Sequence, residues 1–314
     1  MAMRRPLSAV GAVAVGFAIT AGAALAWGSL VERKLFTLRR VDVPVLAPGA
    51  TPITVLHLSD LHMAPWQRDK QEWVRALADL KPDLIVDTGD NLGHEHGVDG
   101  IEYAFERFRG IPGVYVSGSN DYFGPQPKNP LKYFTGPSMH PRRSPTLDIK
   151  RLHSFFDDLG WLELNNAAAA VTIKGTHLEF FGVDDPHRHF DKLELLTGAI
   201  DELRESDPAE GLPAVTIGVA HAPYQRVLDS FVTHGAEVIF AGHTHGGQVC
   251  VPGFGALVTN CDIPRRQVKG LSVWTHALRS AYLNVSAGLG TSVYAPVRFA
   301  CRPEATLLTL TPSA

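Results

Sequence analysis

Ile53-Thr54-Val55-Leu56-His57-Leu58-Ser59-Asp60-Leu61-His62 is a short strand-like run that ends in a polar turn carrying a carboxylate and an imidazole. A helix-like stretch follows over 67–80, then a strand at 84–87, a helical segment at 100–108 and a strand at 113–116. Apolar strands alternating with amphipathic helices predict βαβ units, with a sheet covered by helices. Further on, strand-like runs at 170–173, 178–183, 215–220, 238–240, 281–285 and 305–310 are joined mostly by loops, with helices expected at 150–159, 190–205 and 223–234. Two packed mixed sheets flanked by helices account for both halves.

Chemistry gathers where the strands end. The first strand ends in Ser59-Asp60-Leu61-His62, the second in Thr88-Gly89-Asp90-Asn91 and the third in Gly118-Ser119-Asn120-Asp121. Later ones end in His221-Ala222-Pro223 and Gly242-His243-Thr244-His245-Gly246-Gly247. Carboxylate, imidazole and amide groups are the oxygen and nitrogen donors of Mn, Fe, Zn and related divalent ions. In Asp60-x-His62 an extended backbone would put both side chains on one face, able to grip one ion. In His243-x-His245 the flanking glycines predict a tight turn aiming the imidazoles at neighbouring ions. Gly89 lets the backbone turn so that Asp90 can bridge them. His57, on the strand itself, reads as packing.

Composition agrees. The 314 residues carry 14 His but only 3 Cys, and 29 basic against 32 acidic residues give a net charge of −3. That balance offers no surplus for nucleic acid, so none is expected as a partner. Cys250, Cys261 and Cys301 read as buried thiols, with a Cys250–Cys261 pairing open to the chain in an oxidising compartment. Residues 6–31 hold no charged side chain and lie between Arg4-Arg5 and Glu32-Arg33-Lys34. That length suits a membrane-spanning helix; Ala24-Leu25-Ala26 also resembles a signal-peptidase site, but the apolar run continues past it. We therefore divide the chain into a transmembrane anchor (or signal) at 1–31, a linker at 32–50 and a catalytic domain at 51–314, placing the protein at a membrane. Basic residues on both flanks leave its orientation open. The Pro-rich, basic stretch 122–151 reads as a lid or a solvated loop.

The series DLH, TGDN, GSND, AHAP and GHTHGG is similar to that of the calcineurin-like metallophosphoesterase superfamily. The resemblance spans roughly residues 51–310 and implies a four-layer α/β/β/α sandwich with a dinuclear metal centre. The GHTHGGQ form, the apolar N-terminus and the ending from Gly288-Leu289-Gly290 to Arg302-Pro303-Glu304 look like its membrane-associated branch, which includes phosphodiesterases that cleave UDP-diacylglucosamine. Carried over by position, it implies one ion held by Asp60, His62 and His245, and a second by His221 and His243, with Asp90 bridging. The ions would be Mn, Fe, Zn or Mg. The third motif departs from the family: aligned letter for letter, Ser119 replaces its ligand Asn, and Asn120 replaces its catalytic His. A one-residue shift at the turn would let the Asn120 amide oxygen reach the second ion, a better ligand than a Ser hydroxyl.

The candidates left to assist catalysis are Asn120, Asp121 and His187, with His94 and His96 as further imidazoles. Asn does not titrate, and Asp does so near neutrality only if burial raises its pKa. The mechanism expected is metal-assisted hydrolysis by a hydroxide shared between two ions, on a phosphoester small molecule or a lipid-linked diester or pyrophosphate. The competing expectation is a membrane-tethered metal-binding or sensor protein with little turnover, because the family's histidine is replaced.

Overall fold

The computed structural model describes residues 9–127, 145–207, 209 and 211–313. Helix α1 (Ala9–Leu30) precedes strand β1 (Thr37–Leu46). Then come β2 (Ile53–Leu58), α2 (Arg68–Ala76), β3 (Leu84–Asp87), α3 (Gly97–Phe105), β4 (Gly113–Tyr115), the single turn α4 (Ser119–Tyr122), α5 (Ile149–Leu159) and β5 (Leu162–Glu163). The second half runs β6 (Ala167–Ile173), β7 (Thr176–Gly182), α6 (Leu196–Ser206), β8 (Ala214–Val219), α7 (Gln225–Thr233) and β9 (Val238–Ala241). A small ribbon of β10 (Cys250–Val251) and β11 (Gly255–Ala256) leads to β12 (Gly270–His276), β13 (Arg279–Val285) and β14 (Glu304–Pro312).

The strands form two six-stranded mixed sheets, ordered β1-β14-β2-β3-β4-β5 and β12-β13-β9-β8-β7-β6. Three apolar clusters explain their stacking. Val43, Val55, Val86, Leu308, Phe180, Ile217 and Phe240 lie between the sheets. Leu56 and Ile85 on the opposite face of the first sheet pack under Val74, Phe105 and Phe156 of α2, α3 and α5. Ile239 and Leu283 of the second sheet pack under Ile200 and Phe231 of α6 and α7. Both faces of the central strands are thus covered, which is why β2, β3 and β9 read as near-continuous apolar runs.

The sequence reading needs three corrections. Residues 37–46, placed in the linker, form β1 and pair in parallel with β14 from Thr37↔Glu304 onward. This is an edge strand, where Pro44 forfeits no ladder bond the sheet needs. Strand β12, unanticipated, pairs antiparallel with β13. The Cys250–Cys261 pairing is not formed: all three thiols are free, with Cys250 beside Cys301 in one cluster and Cys261 in another. Residues 128–144 of the expected lid lie outside the described residues.

Candidate metal centre

The parallel strands β2, β3, β8 and β9 point their C-terminal ends the same way, so the polar turns after them converge. Asp60, His62 and His245 form one set of ligand atoms within 4.8 Å of one another; Asp60, Asp90 and His221 form a second. His62 Nε2 and His245 Nε2 lie 3.2 Å apart, and Asp60 Oδ1 is 3.6 Å from His245 Nε2. Asp90 spans the two sets, with Oδ2 3.6 Å from His62 Nε2 and Oδ1 3.5 Å from His221 Nε2. His243 Nδ1 is 3.2 Å from His221 Nε2.

The ligands are not presented from extended backbone, contrary to the period-two argument. Asp60, His62, Asp90, His243 and His245 all have positive φ, between 41° and 67°. For non-glycine residues this is sparsely populated, and surrounding structure must hold it. Backbone bonds between the turns do so: His62 N donates to Asp90 O at 2.9 Å and Asp60 N to Gly89 O at 2.8 Å. Close approach is the other requirement. A Cβ on Gly118 would come within 2.3 Å of Asp90 Oδ1, and one on Gly242 within 2.6 Å of Asp60 Oδ2.

Neighbouring groups orient the donors. His221 Nδ1 donates to Thr88 O at 2.7 Å, leaving Nε2 turned toward Asp90. Asp60 Oδ2 accepts from Ser59 Oγ at 2.6 Å and from His243 N at 2.9 Å, while its Oδ1 is buried without a partner among the described residues. An unpaired buried carboxylate oxygen facing two imidazole nitrogens is costly alone and well suited to a cation. Burial lowers His62 to about 4 and holds His243 and His245 well below the usual histidine range. These imidazoles are neutral at pH 7, the form that ligates metal. Burial pushes Asp60 up to about 6; for Asp90 burial acts in the same direction, but the charge and hydrogen bond of His221, with His62 and the Asn120 N–H, together hold it well below the usual carboxylate range.

The third motif divides its work among three residues. Asn120 lies against the shared carboxylate, its backbone N–H on Asp90 Oδ1 at 2.7 Å and its amide on Asp90 Oδ2 at 2.6 Å. Ser119 turns away and donates to Asp185 Oδ2. Asp121 is not placed for catalysis. Its carboxylate accepts the N–H groups of Asp90 at 2.9 Å, Asn91 at 2.7 Å, Leu92 at 3.3 Å and Gly118 at 2.9 Å, tying the turns after β3 and β4 together. Burial, reinforced by the Asp90 charge, pushes it up to about 8.

His187 does reach the site: its ring centroid is 4.5 Å from that of His243, and Nδ1 lies 2.8 Å from Tyr224 Oη. The His187 N–H donates to Asp185 Oδ1 at 2.9 Å. His94 and His96 do not; His94 lies edge-on to exposed Trp66, with His96 tilted against it. His57 is structural, held by Thr88 and Asn284 at 3.0 and 2.8 Å. The reading missed Asp185 and Tyr224, which carry no motif signal. It also gave too little weight to Gly288-Leu289-Gly290, whose Leu289 and Gly290 N–H groups hold Ser59 O and Asp60 O at 3.1 and 2.6 Å. Arg298, fully buried, donates to the carbonyls of Ala287, Gly288 and Gly290 and so braces that loop.

Residues 53–247 match the family model for calcineurin-like phosphoesterase. The chain is 30% identical to the uncharacterized protein YpbG of Bacillus subtilis over 268 residues, 83% of this chain and 82% of that one. It is 26% identical to a transmembrane protein with metallophosphoesterase domain from Bos taurus, covering 67% of this chain and 44% of the bovine one. Among solved structures, a dimetal phosphatase from Danio rerio matches 76% of this chain and 88% of its own, with 10% identity and a TM-score of 0.41.

Proposed function

The chain belongs to the calcineurin-like phosphoesterases, hydrolases that use two divalent metal ions, and on that premise we propose that it cleaves phosphodiester or pyrophosphate bonds at a dinuclear centre. In this reading Asp60, His62 and His245 hold one ion, and Asn120, His221 and His243 the other, with Asp90 shared. The observation carrying it is the pair of donor sets that share Asp60, with Asp90 reaching from His221 in one to His62 in the other. When bound, the ions neutralise charge on phosphoryl oxygens and acidify water. The protein holds His62, His243 and His245 neutral, fixes the His221 tautomer through the Thr88 carbonyl and excludes bulk water by burial.

The preference for diesters and pyrophosphates follows from the third motif. Asn120 stands where the family has an imidazole and cannot protonate an alkoxide. His187, fixed between Tyr224 and Asp185, is the imidazole beside the second donor set. A leaving group that is itself stable, such as a nucleoside monophosphate, depends least on that acid.

We read α1 as a single-pass anchor. Its 22 residues extend about 33 Å, the thickness of a bilayer core, and Phe17, Ile19 and Leu25 on it are exposed. A lipid-linked substrate such as UDP-diacylglucosamine fits that placement. The test is turnover by the full chain in detergent with Mn²⁺. Bis-p-nitrophenyl phosphate, whose p-nitrophenolate departs without protonation, should be hydrolysed with a kcat/KM about tenfold or more above an alkyl monoester such as glycerol phosphate, whose alkoxide needs an acid. Faster monoester cleavage overturns the substrate class, and tight metal binding without any turnover supports the tethered sensor.

A further inference from the structure

The end of α1 is fastened to the catalytic domain. Gly28 O accepts the Arg298 N–H at 3.2 Å, and Glu32 accepts both Trp27 Nε1 at 2.9 Å and the Cys301 N–H at 2.7 Å. Arg298 in turn braces the 288–290 loop that supports Asp60. The point where the chain leaves α1 is therefore fixed relative to the metal centre.

Beside this junction lies a cavity of about 160 Å³, lined among others by Arg33, Phe36, Trp66, Arg68, Lys70 and Thr291. Its charge is uncompensated. The Arg33 Nε is buried without a hydrogen-bond partner among the described residues. Lys70 is 4% exposed and bonds only to main-chain oxygens, those of Leu61 and, at 3.4 Å, His62. Arg68 bonds to the neutral Gln71 at 3.0 Å. Of the carboxylates nearby, Glu32 is committed to Trp27 and Cys301, and Asp69 pairs with Lys34 at 3.5 Å on the surface. Lys70 is buried and Arg33 partly so, neither forms an ion pair among the described residues, and Arg68 is exposed beside them, a grouping that an incoming anion stabilises. Thr291 adds a hydroxyl, and Trp66 and Phe36 give the rim an aromatic border.

We propose that this cavity binds the phosphate group of an anionic membrane lipid. The assignment rests on α1 being a membrane anchor. Arg33 and Lys34 follow α1 directly, and Trp27, Leu30 and Trp66 are exposed around its end. Tryptophan and basic side chains in this arrangement mark a membrane–water boundary, where lipid phosphates reside. Through Lys70 the bound phosphate would contact the carbonyls of Leu61 and His62, on the reverse side of a metal-bearing turn.

The test uses the full chain in dodecyl maltoside, with bound lipid counted by native mass spectrometry after addition of equal phosphatidylglycerol and phosphatidylcholine. The wild type should retain one phosphatidylglycerol in preference to phosphatidylcholine by about tenfold. Arg33→Gln with Arg68→Gln should abolish that preference. Arg40→Gln with Arg302→Gln, exposed positions with the same charge loss, should keep it. Equal retention of both lipids, or equal loss in the two double variants, overturns the site. So does displacement of the lipid by millimolar inorganic phosphate, which would make it a free-phosphate site. Thermal midpoints of the variants separate loss of lipid from loss of fold. Carbonate extraction of membranes tests the anchor separately: release of the chain defeats the anchor reading whatever the lipid count shows.

Discussion

Asn120 and Asp121 are neighbours in one turn of helix and serve different ends. Asn120 lies on the Asp90 carboxylate, whereas Asp121 gathers four backbone N–H groups from two loops. Asp121→Ala leaves those donors unpaired and should cost about 3 kcal/mol, read as a lower urea midpoint at constant m. Asn120→Ala should leave the midpoint nearly unchanged and lower kcat/KM by about ten- to a hundredfold. Equal destabilisation by both changes would contradict this division. The sequence discloses Asp60, His62, Asp90, His221, His243 and His245 as candidates because few residue types ligate divalent ions and these fall at strand ends. It does not disclose which way three successive polar residues face. That depends on the φ and ψ of a four-residue helix and on Asp185, which draws Ser119 away from the centre.

The elements divide in the same way. Strands β2, β3, β8 and β9 were legible because burial on both faces leaves an unbroken apolar run. Strand β1 was not: only Val41-Asp42-Val43-Pro44-Val45 alternates, and Pro44 with the charges of Arg39, Arg40 and Asp42 suggests a linker. Its contribution is testable. Val43 and Leu46 are fully buried between the sheets, and Arg39 pairs with Glu304 at 2.7 Å. A chain beginning at residue 36 should fold and unfold cooperatively in urea. One beginning at residue 51 should be insoluble or lose several kcal/mol, since two core side chains and a strand ladder are removed. Matching urea midpoints would show that β1 is dispensable. The longer helices were legible: the stretches 67–80 and 100–108 take in α2 and α3 with the 3₁₀ turns that extend them, although α3 begins three residues earlier, at Gly97.

At the scale of the molecule, two sheets stack so that the ends of parallel strands from each meet at one metal-bearing edge, and the same edge is fastened to the end of α1. Composition announced this only as many histidines with few cysteines and one apolar segment. The joining of α1 to the site through Glu32, Cys301 and Arg298 arises from contacts far apart in sequence, which no local pattern encodes. The central claim is that Asp90 is shared by two ions whose joint presence is needed for hydrolysis. The most direct measurement is metal content per chain after chelation and reloading with Mn²⁺, paired with hydrolysis of bis-p-nitrophenyl phosphate, for wild type and Asp90→Ala. Two ions and turnover in the wild type are predicted, with one ion or fewer and about a hundredfold or greater loss of turnover in Asp90→Ala. A wild type that is fully active with one ion, or an Asp90→Ala protein that keeps both ions and wild-type turnover, would contradict it.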